Sequence, residues 1–527
     1  MAVLFIVLTA LMTWPQVRVL GTHGPEHQDV FFNLWRLRWI QHALASPDDK
    51  LFNGNQFHPE NRVLAYSDAM LVEGVVAAPA LALGMRPMLV HNLLLLGAIA
   101  LSALGMFFLA HQISGSTAGS ILAGIVFAFA PYRFEHYMHM ELQWTVWMPW
   151  AFWALQRTIE TGALKYGVAT GLFIALQMLS SIYYGIFLGV LLGLTACVRL
   201  LPLSWRSALH ASRALAAGAA LAVCVSWLYS QPYTLASSRV GARAENEVRM
   251  FSARPRNYLS ATETNLLYGK GPRGAPERRL FTGLLPLVLT LCGLLLVLPS
   301  ASAVAYVIGL AAAFELSLGL HGLVYPFLYE HSTLFQGLRA PARASIFCLL
   351  FLGVLTANGY AAVAAAIAPR ARPVLAFGLP AVLLLEYWVA PLRLVPYANE
   401  APPLYAWLAQ QPRGVVAELP MPRSNRLPGD EARHAYMSTF HWMRLVNGYS
   451  GYYPPSYLSR ADGVAGFPDA ESLRELRLDR VRYVIVHAAG YDQADYARVL
   501  SAANAAGLAP LGRFDDGWQS AWVFEMR

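Results

Sequence analysis

The chain has 527 residues, of which 56% are hydrophobic and only 13% are charged. Soluble proteins carry roughly 25% charged residues, so this composition excludes an ordinary soluble protein and predicts that most of the chain lies in lipid. The net charge of +8 comes without a Lys/Arg-rich run. We therefore expect membrane lipids and phosphate groups as partners, and no nucleic acid.

The first apolar segment, residues 2–18, has no basic n-region and no small-residue cleavage site, which predicts a retained membrane span. A polar stretch follows, and it holds an acid, Asp29, close to the predicted end of that span. An acid at this position is a candidate for chemistry at the membrane surface.

Residues 31–44 predict an interfacial helix directly after Asp29. Trp35 and Trp39 are four residues apart and share one helical face, as in helices that lie on a membrane. Arg36 and Arg38 lie elsewhere on the helix, where we expect them to meet lipid headgroups or phosphates.

Membrane spans need about 20 apolar residues, and about eleven segments qualify, several of them short. They are residues 2–18, 88–111, 117–132, 144–157, 166–182, 185–201, 214–230, 280–298, 301–319, 345–366 and 374–392. A twelfth apolar run, 69–85, contains Glu73, Gly74 and Pro79 and is shorter than a typical span. We expect it to be re-entrant or interfacial.

The charges of the connectors predict the topology. If 69–85 does not cross, the short connectors share the side of the N-terminus, and their Arg and Lys residues make that side cytoplasmic. Segment 231–279 is an exception to this positive-inside rule, because it holds nine Lys/Arg and this topology places it on the other side. The grouping of the long polar segments on one face favours the assignment. These segments are 19–68, 133–143, 231–279, 320–344 and 393–527.

The composition changes after residue 392, which predicts a transmembrane domain, 1–392, and an extracytoplasmic α/β domain, 393–527. The fold class is therefore mainly α, a polytopic membrane protein with a small C-terminal α/β domain. Apolar and β-branched runs alternate with helical patterns in that domain. The predicted elements are helices near 403–411, 469–477 and 492–506 and strands near 414–420, 482–487 and 521–525.

The four cysteines all fall inside apolar runs. They have no metal-binding spacing and cannot form a disulfide framework, so we expect small core residues. They are Cys197, Cys224, Cys292 and Cys348.

Six short stretches carry a family resemblance: 33–39 (NLWRLRW), 51–60 (LFNGNQFHPE), 64–68 (LAYSD), 129–133 (FAPYR), 335–343 (FQGLRAPAR) and 446–451 (VNGYSG). Together with the acid after the first span, the many spans and the C-terminal domain, they make the chain similar to the GT-C superfamily of polytopic glycosyltransferases. It resembles most closely bacterial hypothetical membrane proteins of that superfamily. The likeness covers most of the chain.

The resemblance implies a sugar donor linked to polyprenyl phosphate and transfer on the extracytoplasmic side of the bacterial cytoplasmic membrane. The acceptor is a hydroxyl of a glycan, lipid or protein. Asp29 matches the first-loop acid of the superfamily, and Glu135 or Glu141 takes the place of its second catalytic acid. No acidic pair follows the first span, so the use of a divalent metal stays open and no cofactor is predicted.

Glycosyl transfer to a hydroxyl needs a base that takes the proton and positive groups that stabilise the departing phosphate. Asp29 fits the base, and a helix N-cap is the structural alternative. For Asp68 we favour a helix cap, because it opens the apolar run 69–85. Tyr66 and Asp68 are alternatively candidates to line the sugar pocket.

The loop after the third span is dense in polar groups: Arg133, Glu135, His136, His139 and Glu141. Two histidines three residues apart share a helical face, but this spacing alone is a weak metal signal. The alternatives are substrate contact and a hydrogen-bonded turn.

Four arginines are candidate phosphate ligands, since the guanidinium group binds phosphate with two parallel hydrogen bonds. They are Arg254, Arg256, Arg339 and Arg343. Attraction to anionic headgroups is the alternative. In the C-terminal domain, the aromatic stretch 440–455 around Asn447 suits either stacking on sugars or a packed loop.

Two classes of function are compatible with these features: a GT-C glycosyltransferase, and a non-catalytic lipid or glycan translocator. Transporters place ionisable groups within their spans and show internal repeats. Here the spans hold few charges, Glu315 being one, and no repeat is evident. The sequence therefore favours the enzyme.

Overall fold

The computed structural model describes residues 1–240, 243–272, 274–298 and 300–526, with the backbone alone for 238–240. Arg273, Arg527 and the side chain of Arg239, which belong to the predicted polar segment 231–279 and C-terminal domain, lie outside this description. The chain forms two compact units. The first comprises Met1–Arg18, Leu93–Tyr229 and Ala242–Leu392, and the second comprises Val19–Asn92, Ser230–Gly241 and Arg393–Arg527.

Helices of ten or more residues dominate the chain. They are Ala2–Met12 (α1), Gln28–Ala45 (α2), Leu71–Ala82 (α3), Pro87–Ser114 (α4), Thr117–Phe129 (α5), Trp147–Thr161 (α6), Leu164–Ser180 (α7), Ile182–Leu200 (α8), Trp205–Val240 (α9), Leu284–Leu296 (α10), Ala301–Leu318 (α11), Ser345–Ala366 (α12), Arg372–Glu386 (α13), Pro455–Val464 (α14) and Gln493–Ala505 (α15). Shorter helices include Pro131–Glu135, Met140–Gln143, Glu245–Met250, Tyr325–His331, Thr333–Gln336, Pro403–Leu408, Glu431–Met437 and Ala470–Leu478.

Each of the eleven apolar segments predicted from the sequence coincides with a helix. Among the described residues, six helical stretches are long and apolar enough to cross a membrane. They are Pro87–Ser114, Thr117–Glu135, Ile182–Leu200, Trp205–Ser237, Ala301–His321 and Pro341–Ala366. Four shorter apolar helices are α1, α3, α7 and α10. The chain is therefore a mainly helical membrane protein, and the number of crossings stays a prediction.

The first unit is a bundle of helices centred on α12, most of whose side chains are buried. Helices α5, α10 and α11 pack around it. Gly359 of α12 lies so close to the backbone of Leu289 in α10 that an added Cβ would collide with its carbonyl oxygen. Small residues at such crossings are what bring apolar helices into close contact in membranes.

The cysteines do not all lie in cores as the sequence predicted. Cys348 is buried in α12, whereas Cys197 and Cys224 are exposed on the surfaces of their helices. A small apolar side chain is tolerated on a surface that faces lipid as well as in a core, so composition did not separate the two positions.

The second unit contains a five-stranded mixed sheet. Its strands are Val415–Leu419 (β3), Arg444–Leu445 (β4), Val481–His487 (β5), Ala509–Phe514 (β6) and Ala521–Glu525 (β7), in the order β4-β3-β5-β7-β6. β3 lies parallel to both β4 and β5, and β7 runs antiparallel to β5 and β6. All six elements predicted in residues 403–525 are present. β4, β6 and the helix Glu431–Met437 were not predicted.

Residues of the first loop build the same unit as the C-terminal residues. His23–Pro25 (β1) pairs antiparallel with Leu394–Pro396 (β2). The backbones of Phe57 and His58 donate hydrogen bonds to the carbonyls of Asn447 and Leu445, over 2.9 and 2.8 Å. By contacts, the first loop therefore groups with the C-terminal residues, and a division at residue 392 stays a prediction from composition.

The tryptophan face of helix α2, which suggested an interfacial helix, is covered by protein. Trp35 and Trp39 are buried and stack on each other with ring centres 6.3 Å apart. Their indole nitrogens donate to Asn55 Oδ1 and to the Leu51 carbonyl. The aromatic face that suggested a membrane surface is covered by protein, because the rest of the first loop folds over it.

Candidate active site

The predicted base, Asp29, lies in the first turn of α2. His27 is the N-cap of this helix, and its Nδ1 accepts the Asp29 backbone N–H over 3.1 Å. The N-cap alternative for Asp29 is therefore wrong. The Asp29 side chain is 15% exposed.

Tyr449 orients the Asp29 carboxylate. Its hydroxyl donates to Asp29 Oδ1 over 2.6 Å. The tyrosine is itself fixed, because its backbone N–H donates to Gln56 Oε1 over 2.9 Å and its ring packs edge-on against Phe32. Burial and the adjacent carboxylate raise the pKa of Tyr449, so its hydroxyl stays protonated and remains a donor.

The arginines of α2 donate to acceptors within the protein. Arg36 is 1% exposed, and its guanidinium donates to the Asp68 carbonyl over 2.6 Å and to Asn33 Oδ1 over 2.5 Å. Arg38 donates to the Thr439 carbonyl over 3.1 Å. Both guanidinium groups bind acceptors inside the second unit. This corrects the prediction, made from helix faces alone, that they meet lipid headgroups or phosphates.

Asp68 does not cap a helix. The N-cap of α3 is Met70, with no side-chain cap, so the interpretation favoured from the sequence is wrong. Asp68 is buried next to the Arg36 guanidinium that binds its carbonyl. Tyr66 is buried in the 3-10 turn Val63–Tyr66, and a sugar contact for Tyr66 and Asp68 stays a prediction.

Arg133 holds the turn after the third predicted span. It is buried, and its guanidinium donates to the carbonyls of Leu142 and Gln143 and to Thr145 Oγ1, over 3.3, 3.0 and 2.9 Å. These bonds connect the helix Pro131–Glu135 to the end of the helix Met140–Gln143 and to Thr145 just after it. They give Arg133 a structural role, and substrate contact by this residue stays a prediction.

A second polar cluster in the first unit joins His136, His139 and Arg343 around Glu277, a residue that the sequence analysis did not single out. Arg343 Nε donates to Glu277 Oε1 over 2.5 Å, and His136 Nδ1 lies 3.5 Å from Glu277 Oε2. Burial opposes ionisation of Glu277, but the charge of the Arg343 guanidinium outweighs it and lowers the pKa of Glu277.

Burial also lowers the pKa of His136 to about 3, so its ring is neutral. Among the described residues, neither of its ring nitrogens has a hydrogen-bond partner. An unsatisfied buried polar atom costs about 1–3 kcal/mol, which is the signature of a group that meets a ligand or water.

The ligand atoms of His136, His139 and Glu277 lie within 4.8 Å of one another, close enough to hold a metal ion. The charge balance does not favour one. The Arg343 cation already binds one oxygen of Glu277, so a divalent ion would sit beside a buried positive charge. Glu277 and Arg343 form an ion pair, and we derive no metal chemistry from the cluster.

The two remaining acids of this loop are Glu135 and Glu141. Glu135 accepts from Arg279 Nη1 over 3.1 Å, and the same arginine contacts Glu263. Glu141 is buried in the first turn of Met140–Gln143. A catalytic role for Glu141, the second acid implied by the resemblance, stays a prediction.

The four predicted phosphate ligands differ in exposure. Arg254 and Arg256 are exposed at the start of the 3-10 helix Pro255–Leu259. Arg339 is partly exposed, and its contact with Glu247 is long, at 3.9 Å. Tyr183 joins the last two arginines, because its hydroxyl accepts the Arg339 backbone N–H and its ring lies under the Arg343 guanidinium.

The aromatic stretch 440–455 is a packed loop. Asn447 is fully buried, and its side chain bonds both the N–H and the carbonyl of Glu418 over 2.8 Å. Gly448 fits because an added Cβ would meet the ring of Phe57. Within this loop, Tyr449 is the residue that contacts the Asp29 carboxylate.

No family model matches the sequence, and no curated protein matches it. Solved structures do match. The arabinofuranosyltransferase AftD from Mycobacteria aligns with 99% of this chain and 41% of its own, at 16% identity and a TM-score of 0.57. The oligosaccharyltransferase of Archaeoglobus fulgidus in its apo form aligns with 92% of this chain and 69% of its own, at 11% identity and a TM-score of 0.51.

ArnT from Cupriavidus metallidurans, bound to undecaprenyl phosphate, aligns over 99% of this chain at 12% identity, and its TM-score of 0.40 is too low to support an argument. The chain spans less than half of the length of AftD, 41%. At these identities the likeness establishes architecture. The chain shares its fold with AftD and with the oligosaccharyltransferase of Archaeoglobus fulgidus, in agreement with the mainly helical membrane fold that its sequence predicted.

Proposed function

We propose that this protein is a membrane glycosyltransferase that moves a sugar from a polyprenyl-phosphate donor to an acceptor hydroxyl on the extracytoplasmic face. Its fold is shared with an arabinofuranosyltransferase and an oligosaccharyltransferase, both of which transfer glycosyl groups to acceptors, as their names state. The observation that carries the proposal is the hydrogen bond from Tyr449 to the Asp29 carboxylate.

Asp29 is the proposed general base. As the acceptor oxygen bonds to the anomeric carbon, the bond between that carbon and the phosphate oxygen breaks. The acceptor proton goes to Asp29, and polyprenyl phosphate leaves with the bonding electrons. Tyr449 holds Oδ1 in a fixed direction, so the carboxylate is oriented before the acceptor arrives.

Arg339 is the proposed ligand of the donor phosphate. Its side chain is 32% exposed, and its ionic contact with Glu247 is too long for a hydrogen bond. Arg343, in contrast, is bound tightly to Glu277, so its contribution is to fix that segment. The unsatisfied ring of His136 is a further candidate for a substrate hydroxyl.

The test is a set of Asp29 variants, assayed by complementation of a surface-glycan defect in a deletion strain with protein levels measured alongside. Asp29→Asn keeps the shape and cannot take the proton, so we expect turnover to fall by a factor on the order of 100 or more. Asp29→Glu should also lose activity, because the longer side chain misplaces the carboxylate.

The matched control is Glu60→Gln, at another carboxylate of the first loop, which accepts from Ser456 Oγ over 2.7 Å. It should complement like the parent. Full complementation by Asp29→Asn at normal expression would remove Asp29 from the mechanism.

A further inference from the structure

Three side chains that are far apart in the sequence meet inside the second unit: Glu418, His434 and His487. Their possible ligand atoms all lie within 4.8 Å of one another, and all three side chains are buried. His487 Nε2 lies 2.8 Å and His434 Nε2 lies 3.9 Å from Glu418 Oε2. Ligands of a tetrahedral ion that are each about 2.1 Å from the metal lie only slightly more than 3 Å apart, so small movements suffice.

The topology of the sheet brings these groups together. Glu418 and His487 stand at the carboxyl ends of β3 and β5, which are parallel neighbours. His434 comes from the helix Glu431–Met437. The carboxyl ends of parallel strands are where α/β sheets place their ligand sites.

Each histidine has a carboxylate behind it. His487 Nδ1 donates to Asp516 Oδ2 over 2.7 Å. His434 Nδ1 faces Glu431 Oε1 at 3.7 Å. In metal sites, the second ring nitrogen of a ligating histidine usually donates to a carboxylate or carbonyl, which fixes the ring and its tautomer.

Two buried atoms of the cluster are unsatisfied. Glu418 Oε2 accepts from Tyr405 and His487, but among the described residues Glu418 Oε1 and His434 Nδ1 have no hydrogen-bond partner. A buried polar atom of this kind costs about 1–3 kcal/mol unless a ligand or water binds it.

The buried carboxylates of the cluster require positive charge. Glu418, Glu431 and Asp516 are all fully buried, at 0% exposure. His487 lies 2.8 Å from Glu418 and 2.7 Å from Asp516, so without a metal an imidazolium at this position pairs these two carboxylates. A divalent ion that replaces the proton on Nε2 would pair the same carboxylates with a larger positive charge.

A cavity of about 40 Å³ lies beside the cluster, lined in part by His434, His487 and Trp518. It is large enough for one water molecule, which needs roughly 10–15 Å³ by this measure. A site with three protein ligands keeps its fourth position for water or another small ligand.

We propose that Glu418, His434 and His487 bind a divalent transition-metal ion of the zinc type, with Asp516 and Glu431 orienting the histidines and a water molecule in the cavity as the fourth ligand. Two imidazoles and one carboxylate suit zinc better than magnesium or calcium, which take oxygen ligands. The ion joins β3, β5 and the helix Glu431–Met437, so its removal should destabilise the second unit. This inference is independent of the proposed transferase reaction.

The experiment uses the purified full-length protein in detergent. After chelation and re-addition of Zn²⁺ followed by dialysis, elemental analysis should give about one zinc per chain. Co²⁺ in place of Zn²⁺ should give the strong visible ligand-field bands of a four-coordinate site. The thermal midpoint should rise on addition of either metal.

Three variants locate the site. His434→Gln and His487→Gln should abolish stoichiometric zinc and the cobalt bands. Asp516→Asn keeps every ligand and should weaken zinc binding about 10–100-fold. The matched control is His441→Gln, at a buried histidine of the same unit whose Nδ1 accepts the Met443 N–H. It should retain the metal.

If a variant fails to fold, the zinc content and the cobalt spectrum of the parent protein still test the proposal. Less than a tenth of a zinc per chain together with no cobalt bands would overturn it, and would assign His487 as an imidazolium held between Glu418 and Asp516. Full metal content in both histidine variants would overturn it equally.

Discussion

The hydroxyl of Tyr449 donates a 2.6 Å hydrogen bond to Oδ1 of Asp29, which lies 420 positions earlier in the chain. Both residues belong to the second compact unit. Around them, the backbone of the first loop is bonded to the segment that carries Tyr449. The C-terminal residues thus fix the direction of the first-loop acid, which gives them a part in the proposed chemistry.

Tyr449→Phe should lower turnover and leave the fold intact. The variant keeps the ring that packs against Phe32 and removes the hydroxyl that orients Asp29. Hydrogen bonds to charged groups contribute about 1.5–3 kcal/mol, so we expect a loss of turnover between roughly 10- and 100-fold. The glycan complementation assay and a thermal melt in detergent measure the two properties.

The control for this variant is Tyr453→Phe. That ring packs edge-on against Phe57 in the same loop, 6.0 Å away. It should behave like the parent in the assay. Equal losses from the two tyrosines would show a general effect of loop packing and would argue against orientation of Asp29.

Glu277→Gln should destabilise the first unit. The carboxylate is bound by Arg343 over 2.5 Å, and both side chains are largely buried. Removing one member of a buried pair leaves the other charge uncompensated and typically costs about 3–5 kcal/mol. Thermal unfolding of the purified protein measures the change. Glu263→Gln, at an exposed carboxylate of the same polar segment, is the control and should melt like the parent.

The same pair predicts a pH dependence. The pKa of Glu277 is lowered in the folded protein, so its contribution to stability is fully present above its unfolded pKa, about 4.3. That contribution is lost as the pH falls through the lowered folded pKa. The difference in melting temperature between parent and Glu277→Gln should therefore be constant from neutral pH to about 5 and shrink only in stronger acid. A difference that vanishes near pH 6 would contradict the ion pair.

Local patterns in the sequence predicted most of the helices and strands, because apolar runs and alternation are properties of neighbouring residues. The eleven apolar segments and six C-terminal elements are of this kind. The sequence also predicted the helix α2, but it did not predict what surrounds this helix. Arg36 looked available to headgroups, and it is buried because residues 33 and 68 supply its acceptors.

The clusters escaped prediction for the same reason. Glu277 is a single acid in an irregular segment, and its partner Arg343 lies 66 positions away. Glu418 and His487 are 69 positions apart and meet through the parallel pairing of β3 and β5. Neither spacing resembles a local motif. For the acid at position 29, in contrast, its place after the first apolar segment was enough to select it, although its contact with Tyr449 was not foreseen.

Arg339 variants should separate a phosphate ligand from a diffuse positive charge. If its guanidinium binds the donor phosphate with two hydrogen bonds, Arg339→Lys should weaken binding nearly as much as Arg339→Ala, because lysine keeps the charge and loses the fork. The probe is undecaprenyl phosphate, with binding to the detergent-solubilised protein measured by native mass spectrometry. Arg249→Ala is the control, at an exposed arginine of the polar segment 231–279 that pairs with Glu245. If Arg339→Lys binds undecaprenyl phosphate like the parent, the side chain acts only through its positive charge, and the idea of two parallel hydrogen bonds is wrong.

Helix α3 determines the side of the membrane on which the C-terminal residues lie. It has 12 residues, about 18 Å of helix, whereas the hydrocarbon core is about 30 Å thick. It also packs against α2, where Gly74 leaves space for the side chain of Ile40, and it carries a buried acid, Glu73. These features favour a helix that belongs with the first loop and does not cross.

If α3 does not cross and the other eleven predicted segments do, residues 393–527 are extracytoplasmic. An alkaline phosphatase fused after Arg527, which is active only outside the cytoplasm, should be active, and a fluorescent protein that folds only in the cytoplasm should be dark. Fusions after residue 206, in a predicted cytoplasmic connector, should give the opposite pair of results. A fluorescent C-terminal fusion would mean an even number of crossings. Asp29 is in the same compact unit as those residues, so the proposed reaction would then have to be placed on the cytoplasmic side.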